Sequence, residues 1–164
     1  MKLHNTLGRK VEEFKPIKPG EVKLYTCGPT VYSFYHVGNL RNAVFNDTLR
    51  RVLETNGLKV DHVMNITDVG HLVSDEDEGE DKLEKGAKAE GKSVFDVANS
   101  YTEAFKSDMK DLNVLSPNGY RSPKYTDNYA RATEFIKDQI EIVQILLDKG
   151  FAYQTEQAIY FEVS

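Results

Sequence analysis

Residues 22–39 read Val22-Lys23-Leu24-Tyr25-Thr26-Cys27-Gly28-Pro29-Thr30-Val31-Tyr32-Ser33-Phe34-Tyr35-His36-Val37-Gly38-Asn39, and this stretch decides the fold. Its first six residues alternate apolar and polar, the period of a strand with one buried face. Gly28-Pro29 ends the strand, because proline has no N–H for a ladder. From Leu40 the period changes. Leu40, Val44, Leu49, Val52 and Leu53 recur at roughly 3.6 residues, which predicts a helix over 40–56 with Gly57 as its stop. Lys59 to Ile66 reads as a second strand, centred on 60–66.

Working outward, Ser93 and Asp96 form a capping box that opens a helix over 93–112, with Val97, Tyr101, Phe105 and Leu112 on one side. Residues 114–125 read as irregular or as a short strand. Thr126 or Asp127 is a candidate cap for a third helix over 127–149, with Ile136, Ile140, Val143 and Leu147 turned inward and Gly150 at its end. Ala158 to Val163 looks like one more strand. Upstream, Lys15-Pro16-Ile17-Lys18-Pro19-Gly20 marks an extended lead-in. Strands alternating with helices of this length predict an α/β fold with a parallel sheet flanked by helices. Such sheets bind ligands at the carboxyl ends of their strands, here Thr26–Gly28 and Asn65–Asp68.

The 164 residues suit about one domain. Hydrophobic residues make up 40% and charged residues 29%, ordinary for a globular chain. No apolar run reaches the ~18 residues of a membrane span, and the first residues carry no secretory h-region. A single cysteine excludes an internal disulfide. The net charge of −5 is concentrated in Asp75-Glu76-Asp77-Glu78-Gly79-Glu80-Asp81-Lys82, which reads as a solvated loop. It fails as a calcium loop, because Glu80 stands where a glycine is needed and Gly86 where a bidentate glutamate is needed. The balance is not that of a simple basic nucleic-acid clamp.

The stretch from Cys27 to Asn39 runs from a strand tip into a helix N-terminus, where free N–H groups and the helix dipole suit phosphate. His36 has a hydrogen to give a phosphate oxygen, Gly38 lets a ligand approach the backbone, and Asn39 fits a helix cap, a phosphate contact, or both. Each residue alone is weak. A lone cysteine at a strand end is more often a small buried hydrophobe than a ligand.

In combination these residues resemble the cysteinyl-tRNA synthetases, a class I family. The resemblance rests on Asn5-Thr6-Leu7, Arg9-Lys10 and Glu12-Glu13-Phe14, on Leu24 to Tyr32 around Cys27, and on His36-Val37-Gly38-Asn39, similar to the family's HIGH signature. Asn65-Ile66-Thr67-Asp68-Val69, Arg131-Ala132-Thr133-Glu134 and Lys149-Gly150-Phe151-Ala152-Tyr153 continue it, so it spans nearly the whole chain. It implies the first half of a Rossmann-like class I sheet over 1–150, with 151–164 beginning a connective insertion.

It also implies ATP-dependent activation of L-cysteine and transfer to tRNA(Cys), by a cytoplasmic, monomeric enzyme with no membrane partner. His36 and Asn39 take the catalytic positions, and His36, Gly38 and Asn39 bind ATP with its Mg2+. Gly28, Thr30 and Thr67 line the amino-acid pocket, with Asp68 either beside them or capping a turn. Cys27 is one ligand of a zinc ion that selects the substrate thiol, since zinc binds thiolate well. Two readings compete: a cysteine-adenylating amino-sugar ligase, and a non-catalytic nucleotide- or thiol-binding module. Gly28-Pro29-Thr30-Val31-Tyr32 favours the tRNA enzyme.

The chain departs from the family after Val69, where Gly70-His71-Leu72 replaces Asp-Asp-Lys, and His71 is either a substituted contact or a turn residue. No KMSKS-like segment is present. The 164 residues are therefore read as an N-terminal portion that binds zinc weakly and activates cysteine hardly at all by itself.

Overall fold

A computed structural model describes residues 1–70, 93–156 and 158–163. His71 and the acidic stretch 75–81 lie outside the described residues. Among the described residues, seven strands and three α-helices follow in order: β1 (Lys2–Asn5), β2 (Lys10–Glu13), β3 (Glu21–Thr26), α1 (Val37–Thr55), β4 (Lys59–Ile66), α2 (Val94–Asp111), β5 (Ala130–Arg131), α3 (Ile136–Asp148), β6 (Ala152–Gln154) and β7 (Ile159–Phe161). A short 3-10 helix, Ala132–Phe135, joins β5 to α3.

The central sheet has the order β3-β4-β5 and both pairings are parallel. β3 and β4 pair from Glu21↔Lys59 to Thr26↔Met64, with α1 as the crossover that a parallel pair requires. β1–β2 and β6–β7 are separate antiparallel hairpins. The first hairpin, residues 2–13, precedes the Lys15–Gly20 lead-in and is not among the strands read from the sequence.

β4 shows why one face is committed to the core: Val60, His62, Met64 and Ile66 are buried, while Lys59 and Asp61 are exposed. Met64 and Ile66 pack with Ala43 of α1, with Val97, Ala98, Phe105 and Met109 of α2, and with Val31 and Tyr129. Val22, Leu53 and Val60 form a second cluster at the other end of the strands. Each fully buried aliphatic side chain contributes about 1.5–3 kcal/mol relative to exposure.

Three helix readings need correction. α1 begins at Val37, not at residue 40, because the His36 side chain caps it by accepting from the Gly38 N–H. Its buried face is Ala43, Arg50 and Leu53, whereas Val44 and Val52 are exposed. Arg50 is buried because its guanidinium donates to Glu54 at 2.9 Å and to the Ser116 carbonyl at 2.7 Å. α2 is capped by Ser93 as the sequence indicates, but Met109 is buried where Leu112 is exposed. The third helix starts at Ile136. Residues 130–131 pair with β4 instead of coiling, and Asp127 is held by the guanidinium of Arg131 at 2.8 Å through both oxygens. None of the α3 residues is buried, so Ile136 and Ile140 do not face a core.

Candidate active site

The site is built where β3 and β4 end. Thr26 pairs with Met64, thirty-eight positions on, but Thr30 bridges Thr67, thirty-seven positions on. The β3 side therefore holds one extra residue between these points, a bulge at Cys27–Pro29. Beyond it the two chains are joined again: the Val31 N–H donates to the Thr67 carbonyl at 3.2 Å, and the Thr67 N–H to the Pro29 carbonyl at 2.8 Å. Thr30 and Thr67 are neighbours as a result.

Asn65 fastens the bulge. Its Oδ1 accepts from the Gly28 N–H at 2.9 Å and from the Tyr25 hydroxyl at 3.0 Å, and its Nδ2 donates to Thr67 Oγ1 at 3.0 Å. Thr67 Oγ1 thus receives a hydrogen bond and keeps its own hydrogen for another acceptor. Gly28 is required by closeness, since a Cβ there would stand 1.8 Å from the Asn65 carbonyl oxygen. Asn65 is absent from the residues singled out as a site. The signal was available, because Asn65 and Thr67 are two apart at a strand end and so share a face.

His36 and Asn39 cap the first turn of α1 reciprocally. The Gly38 N–H donates to His36 Nδ1 at 3.0 Å, and the His36 N–H to Asn39 Oδ1 at 3.4 Å. Asn39 is therefore the third residue of the helix, not its cap. Gly38 makes room for this, as a Cβ there would stand 2.9 Å from His36 Cε1. Two of the backbone donors near the helix start are already engaged: the Gly38 N–H is used by the cap and the Asn39 N–H by the His36 carbonyl. Side chains add further donors. A neutral His36 whose Nδ1 accepts carries its hydrogen on Nε2, and the Asn39 amide keeps two hydrogens. No acidic residue occupies the first turn of α1 to repel an anion.

A cleft of about 190 Å3 lies between the tip and the helix. Gly28, Thr30, His36 and Asn39 line it, with Tyr32, Ser33, Phe34 and Tyr35. Cys27, Gly38 and Thr67 are outside that lining, although Cys27 and Thr67 adjoin it in the chain and across the bridge. Cys27 is exposed and free, not the small buried hydrophobe of its commoner role. Burial pushes the Tyr35 phenol up to about 12, with Cys27 and Tyr129 adding to the effect. Burial, then Cys27, also raises Tyr25. Asp68 takes the capping alternative, accepting from the Thr133 N–H at 2.9 Å and the Thr133 hydroxyl at 2.6 Å.

A larger cleft of about 600 Å3 lies between α2 and residues 113–129, and none of the sequence-derived site residues lines it. Of its two lysines, Lys106 and Lys110, the first is already paired with Glu103 at 2.8 Å and Asp127 at 3.4 Å.

The fold and the tip define a class I synthetase catalytic domain. The LeuRS of Agrobacterium radiobacter K84, solved with tRNA and LeuAMS, matches with a TM-score of 0.60 at 22% identity, over 85% of this chain and 16% of that one. The arginyl-tRNA synthetase of Plasmodium falciparum matches with a TM-score of 0.52 at 18% identity, over 89% and 30%. These likenesses concern the fold.

Residues 13–164 match the family model described as tRNA synthetases class I (C) catalytic domain, and the chain belongs to that family. It is 49% identical to cysteine--tRNA ligase 1 of Burkholderia lata, over 99% of this chain and 33% of the relative. It is 48% identical to the cysteine--tRNA ligase of Zymomonas mobilis, over 98% and 29%. The chain thus spans about a third of the length of the relatives it matches. No helix among the described residues is long and apolar enough to cross a membrane.

The family generally uses zinc. Among the described residues no three of His, Cys, Asp and Glu converge as a metal site. Cys27 offers one thiol, while a catalytic zinc takes about three protein ligands. The described residues do not by themselves make a zinc centre.

Proposed function

We propose that this chain carries the strand-tip half of the catalytic site of a cysteine--tRNA ligase, with ATP, L-cysteine and tRNA(Cys) as its substrates. The observation that carries the reading is the single cleft lined by Gly28, Thr30, His36 and Asn39. Two motifs from different elements supply it, as a nucleotidyl transfer requires.

In this reading the carboxylate of L-cysteine attacks the α-phosphorus of ATP. The P–O bond to pyrophosphate breaks, and pyrophosphate leaves with the electron pair. The attacking carboxylate is already ionised, so no general base is needed. The chain's part is to orient the reactants and to give hydrogen bonds to phosphate oxygens as their charge grows. His36 Nε2–H and the Asn39 amide are assigned to those oxygens. The hydroxyls of Thr30 and Thr67 are assigned to the amino acid, and Mg2+ arrives with ATP. Cys27 is assigned as one zinc ligand, with the others outside the described residues. The reaction belongs to the cytoplasm, and one copy of the chain supplies each site. Residues 1–150 are assigned to the nucleotide-binding domain and 151–164 to the start of an insertion.

The test is a chimaera in which these 164 residues replace the matching part of the Burkholderia lata relative. Cysteine-dependent ATP–pyrophosphate exchange is the readout. The chimaera should exchange, and the 164 residues alone should exchange hardly at all. His36→Ala should slow exchange about 100-fold, as loss of a positioned donor does, and leave the zinc content unchanged. Cys27→Ser should lower the zinc content and the preference for cysteine over serine. A folded chimaera indifferent to His36→Ala would overturn the assignment.

A further inference from the structure

The described residues enclose only part of the ligand assigned to the cleft. Pockets that enclose a small organic ligand run to about 300–1,000 Å3, and this one is about 190 Å3. A phosphate chain or an aminoacyl group fits, but a purine base must lie outside, against the rim. Among the lining residues, Tyr35 turns its ring inward, edge-on to Phe105 at 5.0 Å, and Tyr32 is half-buried against the core. Phe34 differs from both. It is 71% exposed, although an apolar ring gains nothing from water. It is also held in place, because the ring of Tyr101 on α2 meets it at 82° with centroids 4.9 Å apart. One edge-to-face contact leaves at least one face of Phe34 open beside the cleft.

We propose that Phe34 is a stacking platform for an adenine base whose phosphate or acyl end occupies the cleft. The inference rests on the reading of the cleft as a nucleotide site. Adenine reaches such a place from two sources, ATP or the 3′-terminal adenosine of an RNA, and the contact is the same for both. Exposed aromatic rings bind bases in this way without needing hydrogen-bond readout, at about 1–3 kcal/mol per base.

The test uses the 164-residue chain and three probes: ATP, inorganic tripolyphosphate, which has no base, and the trinucleotide CCA. Affinities are measured by titration for the unaltered chain, Phe34→Leu and Phe34→Tyr, with thermal melting as the check on folding. Phe34→Leu should weaken ATP, CCA or both by about fivefold or more and leave tripolyphosphate unchanged. Phe34→Tyr, which keeps the ring, should bind like the unaltered chain. Weakening of ATP alone assigns the base to the nucleotide, and weakening of CCA alone assigns it to the RNA end. Equal binding of ATP and CCA by the unaltered chain and Phe34→Leu overturns the platform and leaves the proposed function standing. Loss of all three probes together overturns it also, as a general disturbance of the site. If the unaltered chain binds none of the three, the platform and the nucleotide reading of the cleft both fall.

Discussion

β4 and α3 carry similar apolar content and end in opposite states. β4 buries Val60, Met64 and Ile66 against α1 and α2. α3 leaves Ile136, Ile140, Ile142 and Ile145 between 40% and 63% exposed, and Phe151, just before the second hairpin, and Phe161, within it, are more than half exposed. Periodicity says which face of an element is apolar. Whether that face meets anything depends on topology, and here the central sheet has one layer that both α1 and α2 cover. The difference separates a region that the described residues stabilise by themselves from one that they do not.

The segment that joins the two regions should give the largest effect. Arg131 is 3% exposed and depends on Asp127 for its charge partner. Asp127→Ala should cost about 3–5 kcal/mol, because it leaves a buried cation unpaired. Chemical denaturation measures this. A loss below ~1 kcal/mol would mean that stacking of Arg131 over Tyr125, at 3.6 Å, suffices. Ile66→Ala should cost about 2–5 kcal/mol, since Ile66 is fully buried. Ile140→Ala, on the 63% exposed side of α3, should stay within ~0.5 kcal/mol. Equal losses at Ile66 and Ile140 would break the comparison, because something would then cover α3.

The pH dependence sharpens it further. Burial lowers the pKa of His62 from 6.5, and Arg50 lowers it more, against the smaller opposing pull of Asp47 and Glu54. His62 is 2% exposed, its Nε2 meets Thr26 Oγ1 at 2.8 Å, and its Nδ1 has no partner. The unfolded chain takes up the proton first. Stability should therefore be intact above pH 6.5 and fall as pH drops from 6.5 towards the lower folded value. Melting temperatures from pH 8 to 5 measure it, and His62→Gln should flatten that window. Asp127 contributes a separate acid limb. Burial alone would raise its pKa, but Arg131 holds it below 3.8, so its stabilisation is intact above pH 3.8 and is lost as pH falls from there through that lower value.

The smallest effect on stability is expected at Gly38→Ala. Alanine gains up to ~1 kcal/mol of helix propensity, and displacing the His36 cap loses a similar amount. Melting should barely change while tripolyphosphate binding weakens, because the ring that carries the Nε2 hydrogen is moved.

The parallel pair, its crossover helix and the two strand tips were legible in the sequence, because period 2 giving way to 3.6 is a local signal. So was the Ser93 cap. The face of α1 was not: Ala43 is short and Arg50 is charged, and only a tertiary partner such as the Ser116 carbonyl makes a buried arginine favourable. The late start of α3 was missed because Asp127 resembles a cap and instead pairs with Arg131. At the site, residue types pointed to Gly28, Thr30, His36 and Asn39, which share the cleft. They did not indicate that His36 and Asn39 would cap each other, nor that Asn65 would fasten the tip. Those are relations between side chains that no single position announces.

The one-residue mismatch between the two strand tips has a consequence for how the site tolerates change. Side chains along extended chain alternate in direction, so an extra residue reverses the alternation for everything that follows. What positions Thr30 opposite Thr67 is thus partly a length, four steps along one chain against three along the other. A length is indifferent to chemistry and unforgiving of arithmetic. Deleting Pro29 should bring the chains back into phase and turn Thr30 to the opposite side, undoing the site with Gly28, Thr30, His36 and Asn39 all still present.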